Sequence, residues 1–301
     1  MIKPEWIKVR YSENRIKPVA DYLEQNRIHT VCESAVCPNR WACYADKELT
    51  FMILGERCTR QCGFCAVTKG VPENVDEHEC KTILNTVEWL GADYAVITSV
   101  TRDDLPDCGA HQFAKVIHAL KNSNIHTEVL IPDFDGDEKL IRAVIDAGPD
   151  VIAHNMETVQ RLYRHLRPGS DYSTSLGVLE CIKRTQKNMI TKSGFMMGLG
   201  EDISEVKELM RDIMAAGCDI LTVGQYLRPS EDNEEVKAYI HPGVFKMLEA
   251  FGHGLGFKVV QSAPLVRSSF QAREMWMRAT ESSYPCKRES RKKLDSASSA
   301  E

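Results

Sequence analysis

Between residues 50 and 224 short apolar runs alternate with longer mixed ones. The apolar runs are 50–55 (TFMILG), 94–98 (YAVIT), 127–131 (TEVLI), 151–154 (VIAH), 194–198 (GFMMG) and 220–224 (ILTVG). Each has four to six residues and none alternates strictly, which predicts strands buried on both faces of a parallel sheet. Two intervening stretches read as helices, 80–90 closed by Gly91 and 203–216 closed by Gly217. In the second, Val206, Leu209, Met210 and Ile213 recur at helical spacing and are expected to face the sheet. Six strands alternating with helices predict an α/β fold of βα units with right-handed crossovers. A doubly wound open sheet and a partial or complete (βα) barrel both satisfy that pattern.

The chain divides into residues 1–50, an extension with little clear periodicity; 51–230, the alternating core; and 231–301, a C-terminal extension. Within the last, 231–270 carries one more helix-and-strand unit, its strand in 257–262, and 271–301 reads as a polar tail. The basic run Lys287–Lys293 reads as a solvated end, or as a contact for an acidic protein partner. Polar residues collect after the strands, at 98–104, 154–157, 200–201 and 225–228. In either architecture that is the face on which sites are built.

Composition narrows the class. Of 301 residues, 43% are hydrophobic and 27% charged, which suits a globular chain rather than a disordered one. The net charge of −5 gives no nucleic-acid footprint, and no run is long and apolar enough for a membrane span. The N-terminus lacks the apolar segment of a signal peptide, so a reducing, cytoplasmic location is expected. The 11 cysteines change the picture: six lie between Cys32 and Cys65. Without an export signal, clustered thiols point to metal rather than to disulfides. The other five, Cys80, Cys108, Cys181, Cys218 and Cys286, are scattered singly and read as small buried hydrophobes.

Cys58, Cys62 and Cys65 follow the first strand with spacing C-x3-C-x2-C. Three thiolates this close can occupy three corners of one metal site. Structural zinc normally takes four protein ligands, and no fourth lies nearby in the sequence. A [4Fe–4S] cluster with one open iron accounts for the missing ligand. The motif, with Phe64 before its third cysteine, resembles that of the radical S-adenosylmethionine superfamily. The resemblance implies that S-adenosylmethionine is chelated at the open iron and cleaved to a 5′-deoxyadenosyl radical. It implies contact of Phe64 with adenine and of the Gly198-Leu-Gly200-Glu201 turn with adenosine, Glu201 near the ribose hydroxyls. Taken alone, that glycine pair reads equally as a tight strand–helix turn. Ser99, Asn155, Glu157 and Lys192 are polar candidates for the methionine end.

A second triplet, Cys32, Cys37 and Cys43, has spacing C-x4-C-x5-C and also lacks a fourth cysteine; zinc is its alternative occupant. Together with 102–107 (RDDLPD), 130–134 (LIPDF), 153–158 (AHNMET) and 225–230 (QYLRPS), it resembles the lipoyl synthases, over about residues 5 to 275. That resemblance implies a partial (βα)6-type TIM barrel with N- and C-terminal extensions. It also implies two [4Fe–4S] clusters, the second an auxiliary cluster on Cys32, Cys37, Cys43 and a serine of an Arg-Ser-Ser-Tyr motif. Ser269, in Arg267-Ser268-Ser269-Phe270, stands at the ligand position, and Phe270 replaces the tyrosine. Without the resemblance both serines read as a polar loop.

The implied activity is a sulfurtransferase reaction that inserts two sulfur atoms at C6 and C8 of a protein-bound octanoyl-lysine. Cys58, Cys62, Cys65 and Ser269 would carry it, with the auxiliary cluster consumed as sulfur donor. The implied partners are an octanoylated carrier (glycine-cleavage H protein or a 2-oxoacid dehydrogenase acyltransferase), an electron donor such as flavodoxin or ferredoxin, and an iron–sulfur carrier. A biotin-synthase-like sulfur inserter shares the C-x3-C-x2-C motif but lacks the N-terminal triplet and the late serine pair. A two-cluster electron carrier is the rival from another class, and such carriers are usually short.

Overall fold

Residues 3–8 and 13–281 are described by the structure, a computed structural model. The basic run 287–293 and Cys286 lie outside them. The N-terminal extension folds into α1 (Glu13–Gln25), α2 (Val31–Ser34) and α3 (Arg40–Ala45). The core then alternates as β1 (Thr50–Ile53), α4 (Glu79–Leu90), β2 (Tyr94–Ser99), α5 (Ala110–Asn122), β3 (His126–Leu130), α6 (Glu138–Ala147) and β4 (Val151–Ala153). It continues through α7 (Gln160–Leu166), α8 (Tyr172–Thr185), β5 (Ile190–Met197), α9 (Ile203–Ala215) and β6 (Ile220–Gln225). The chain closes with α10 (Pro242–Leu255), β7 (Val259–Ser262) and α11 (Ala272–Glu281).

All neighbouring strands pair in parallel, in the order β1-β2-β3-β4-β5-β6-β7. The architecture is therefore an α/β partial barrel. The six strands expected between 50 and 224 are present, and the unit expected over 231–270 adds the seventh along β6. β1 and β7 do not pair, so the sheet is open.

Helix ends and faces follow from local sequence. Gly91 and Gly217 adopt positive φ (66° and 84°), which ends their helices at little cost. Asp202 and Glu205 form a capping box on α9. Val206, Leu209, Met210 and Ile213 are buried against Phe195 and Met197 of β5. Burial of such side chains contributes roughly 1.5–3 kcal/mol each. Strand alternation then turns Lys192, Gly194 and Met196 to the opposite, inner face.

Two expectations are corrected. Residues 13–45 are largely helical, because Ile16, Val19 and Leu23 form a buried stripe on α1. The expected polar tail begins with α11, whose Met275 and Ala279 pack on Ile220 and Val259. Trp276 lies 5.5 Å from the Tyr94 ring and 4.4 Å from the His126 ring. These contacts sit at the N-terminal ends of β2, β3, β6 and β7, so α11 closes that end of the barrel.

The open edge is closed differently. Thr30 bridges Phe51 in antiparallel fashion, and the Met52 N–H donates to the His29 carbonyl (2.9 Å). On the other side the segment after β7 folds across β6, with Gln225 N–H donating to the Pro264 carbonyl (3.1 Å). Asn39 Nδ2 spans the two sides with a 2.6 Å hydrogen bond to the Leu265 carbonyl.

Candidate functional site

The loop after β1 holds Cys58, Cys62 and Cys65 at the C-terminal end of the barrel. It is closed on itself by Cys58 N–H to Thr68 carbonyl (2.8 Å) and Gly70 N–H to Cys58 carbonyl (3.1 Å). Thr101 N–H donates to Cys58 Sγ (3.3 Å). Asn233 Nδ2 donates to the Cys65 carbonyl (2.9 Å), and Gly63 N–H to the Leu166 carbonyl (2.9 Å). Arg60, inside the motif, makes two 3.0 Å hydrogen bonds to Asp103 and others to Asp133 (2.5 Å) and Ser170 (2.9 Å). The loop is thereby fastened to the ends of β2 and β3 and to the loop before α8.

The second triplet stands beside the open edge. Cys32 lies in α2, which Thr30 caps by accepting the Glu33 N–H (3.3 Å). Val36 adopts positive φ (49°), turning the chain so that Cys37 N–H reaches the Cys32 carbonyl (3.1 Å). Cys43 lies in α3. All three line one cavity of about 830 Å³, and Cys65, Phe64 and Ser269 line it too.

Burial dominates the thiol acidities. It pushes Cys32 up to about 11 and Cys43 and Cys65 up to about 12. Cys62 is also raised by burial, against the pull of the Arg167 guanidinium. Cys32 and Cys37 oppose the ionisation of Cys43, and Cys62 and Cys58 that of Cys65, so each triplet is a set of electrostatic neighbours. Among the described residues no three Cys, His, Asp or Glu side chains converge on one point as a single ion requires. A cubane binds each thiolate through a different iron, so it accepts a wider spread. The donor chemistry of both triplets fits such clusters, and loading them must displace protons.

The other expected residues divide. Phe64 packs beside Leu199, inside the Gly198–Glu201 turn, and Tyr226. Gly198 has φ 101°, and a Cβ there would stand 2.2 Å from Gln225 Nε2 and 2.4 Å from the Ala238 carbonyl. Glu201 accepts the N–H groups of Gly198 (2.5 Å) and Leu199 (2.8 Å), and so holds this turn. Gly200 sits in the same turn, also at positive φ. Asn155 Nδ2 donates to Glu157 Oε1 (3.0 Å), and both residues line the cavity. Lys192 does not join them: it is fully buried inside β5, 2.7 Å from Glu128, which also accepts from Tyr94 (3.0 Å). Ser99 is absent from the cavity wall, and its buried hydroxyl has no partner among the described residues.

Arg60, Arg167, Arg267 and Asn233 were not singled out from the sequence. Arg167 donates to the Asn155 carbonyl (3.1 Å) and to Tyr163, and its charge acts on Cys62. Arg267 lines the cavity, with the charges of Cys37 and Glu157 acting on it. The one signal available was position: Arg60 lies within a cysteine motif, and Arg267 abuts the serine pair.

Residues 52–213 match the model of the radical SAM superfamily. The chain is 50% identical over 275 residues to the lipoyl synthase of Caldicellulosiruptor saccharolyticus, covering 90% of this chain and 96% of that one. It is 41% identical to the lipoyl synthase of Mycolicibacterium smegmatis, covering 92% and 88%. Among solved structures it resembles Streptococcus suis SuiB bound to S-adenosylmethionine (TM-score 0.58, 12% identity, 87% and 61% covered). The FeFe-hydrogenase maturase HydG of Carboxydothermus hydrogenoformans gives a TM-score of 0.56 at 11% identity, with 89% and 69% covered. Those structural likenesses speak for the fold alone. The sequence matches extend through both cysteine triplets and almost the whole folded chain, so the chain belongs to the lipoyl synthase family of radical SAM enzymes, whose cofactors are [4Fe–4S] clusters and S-adenosylmethionine.

Proposed function

We propose that this chain makes the lipoyl cofactor in place, inserting two sulfur atoms at C6 and C8 of an octanoyl chain amide-linked to a lysine of a lipoyl carrier domain. The observation that carries this reading is that Cys32, Cys37, Cys43 and Ser269 line one cavity with Cys65 of the other triplet. A radical generator and a sulfur donor must both reach the same acyl carbons, and one shared cavity lets them. When bound, the cluster on Cys58, Cys62 and Cys65 with S-adenosylmethionine supplies the hydrogen-abstracting radical, and the auxiliary cluster supplies sulfide.

The chain's own residues do the rest. Arg60, Asn233 and the Leu166 carbonyl fix the generator loop against movement, and such fixed orientation is the main service a protein gives to radical chemistry. Phe64 and the Gly198–Glu201 turn form an apolar and backbone-lined recess for adenosine. Asn155 and Glu157 offer polar contacts at the methionine end. Val96, Leu130 and Met196 give the cavity an apolar wall for the acyl chain. Ser269 would complete the auxiliary site as a hard oxygen ligand beside three soft thiolates, a combination suited to an iron that must leave.

The carrier would be the glycine-cleavage H protein or a 2-oxoacid dehydrogenase acyltransferase. Flavodoxin or ferredoxin would supply electrons, and an iron–sulfur carrier would rebuild the auxiliary cluster. Cluster loading on six clustered thiols requires them reduced, which suits a reducing cytoplasm. Among the described residues no helix is long and apolar enough to cross a membrane.

The test is anaerobic reconstitution with iron and sulfide, followed by reductant, S-adenosylmethionine and an octanoylated lipoyl domain. Mass spectrometry should find 5′-deoxyadenosine and a carrier bearing two added sulfurs. Release of 5′-deoxyadenosine with an unaltered octanoyl group would defeat the reading.

A further inference from the structure

Ser268 is the neighbour of the proposed auxiliary ligand, and its hydroxyl is engaged by the loop after β4. Ser268 Oγ donates a 2.8 Å hydrogen bond to Asn155 Oδ1, across 113 positions of sequence. Asn155 is held on its other sides. Its Nδ2 donates to Glu157 Oε1 (3.0 Å), and its carbonyl accepts from Arg167 Nη1 (3.1 Å). A Cβ on Gly194 would stand 3.2 Å from Asn155 Oδ1, so the strand leaves room for this rotamer. The loop after β4 and the serine loop after β7 thus meet at one polar contact inside the cavity.

We propose that Ser268 is a positioning residue which, through Asn155, couples the geometry of the serine loop to occupancy of the S-adenosylmethionine site. The proposal rests on the reading above, in which Asn155 and Glu157 meet S-adenosylmethionine and Ser269 serves the auxiliary cluster. An amide carries one accepting oxygen and one donating NH2 group, held in a single plane. A ligand that engages Asn155 Nδ2 or Glu157 fixes the amide plane, and therefore fixes where Oδ1 can accept from Ser268. The serine loop is then ordered when the radical source is in place and looser when it is not. Coupling of this kind is reciprocal, so the auxiliary cluster tightens S-adenosylmethionine binding by the same factor. Restricting ordered ligation to the loaded state would limit loss of sulfide without radical chemistry.

The test uses the anaerobic two-cluster enzyme and three readouts: iron content, equilibrium binding of S-adenosylmethionine, and amide hydrogen exchange across residues 264–270. In the unsubstituted enzyme S-adenosylmethionine should slow that exchange about five-fold, the factor carried by one ordinary hydrogen bond. Ser268→Ala should keep its iron, lose the slowing, and bind S-adenosylmethionine about five-fold more weakly. Ser268→Thr keeps the hydroxyl and should restore both effects, which a general packing defect would not allow. Full slowing in Ser268→Ala overturns the coupling. Loss of the auxiliary iron in Ser268→Ala makes Ser268 a ligand and overturns the positioning role. An unsubstituted enzyme that neither binds nor cleaves S-adenosylmethionine overturns the reading beneath the proposal, and the proposal with it.

Discussion

Asn39 Nδ2 and the carbonyl of Leu265 meet at 2.6 Å although 226 residues separate them in the chain. Asn39 stands between Cys37 and Cys43, and Leu265 precedes Ser269 by four positions. This one contact fastens the cysteine-bearing extension to the serine-bearing loop. Asn39→Ala should cost about 1 kcal/mol of global stability, the ordinary worth of such a bond. Its larger effect should be local, with iron lost faster from the N-terminal triplet while Cys58, Cys62 and Cys65 keep theirs. Iron release to a chelator, compared between Asn39→Ala and Asn39→Asp, checks this.

The two triplets should have separable roles. Replacing Cys58, Cys62 and Cys65 with Ala should leave about four irons and abolish 5′-deoxyadenosine release. Replacing Cys32, Cys37 and Cys43 should also leave about four irons, preserve 5′-deoxyadenosine release, and stop sulfur insertion. Sulfurated carrier from the latter variant would sink the donor assignment.

Ser269→Ala should still cleave S-adenosylmethionine but make little or no doubly sulfurated product. Ser269→Cys should hold the auxiliary cluster with a softer ligand and slow the release of its sulfur. Single-turnover product analysis by mass spectrometry distinguishes the two.

The buried pair Lys192–Glu128 should be costly to break and cheap to replace. Removing one partner leaves an uncompensated charge, so Lys192→Met should destabilise by roughly 3–5 kcal/mol. The double replacement Lys192→Met with Glu128→Leu should recover most of the loss. Urea unfolding of these two variants beside the unsubstituted protein tests this, and equal losses in the single and double variants would contradict it.

Burial, reinforced by the nearby Arg167 charge, lowers the His154 pKa to about 4. The unfolded chain binds this proton near the ordinary histidine value of about 6.5, so it takes up more protons than the folded chain between those limits. Stability should therefore fall as pH drops from about 6.5 toward 4, by up to roughly 3 kcal/mol from this group. His154→Gln should flatten that part of the pH profile, as measured by anaerobic urea unfolding from pH 7.5 to 4.5.

The strands and α9 were legible because their signals are local: Val206, Leu209, Met210 and Ile213 repeat at the helical period, and Gly217 ends the run. The cysteine triplets were legible because each falls within one short stretch of the chain. α1 was missed although Ile16, Val19 and Leu23 are spaced three and four apart, since Pro18 interrupts the run. Lys192 looked like a site residue because Glu128, the partner that neutralises it, lies 64 positions away. Arg60 was passed over for a similar reason: Asp103 and Asp133 join it only once β2 and β3 stand side by side. Partnership between charges is a property of the folded sheet, and one sequence does not display it.

The gap between β1 and β7 bears on how the enzyme outlives its own chemistry. If the auxiliary cluster is consumed as proposed above, it must be replaced many times within one protein lifetime. Had its ligands been strands of a closed barrel, each replacement would have required part of the ladder to come apart. Here Cys32 and Cys43 ride on short helices, Cys37 on the turn between them and Ser269 on a loop, joined across the gap by the Asn39–Leu265 hydrogen bond. On that reading, repair would open one such contact and leave the seven strands untouched.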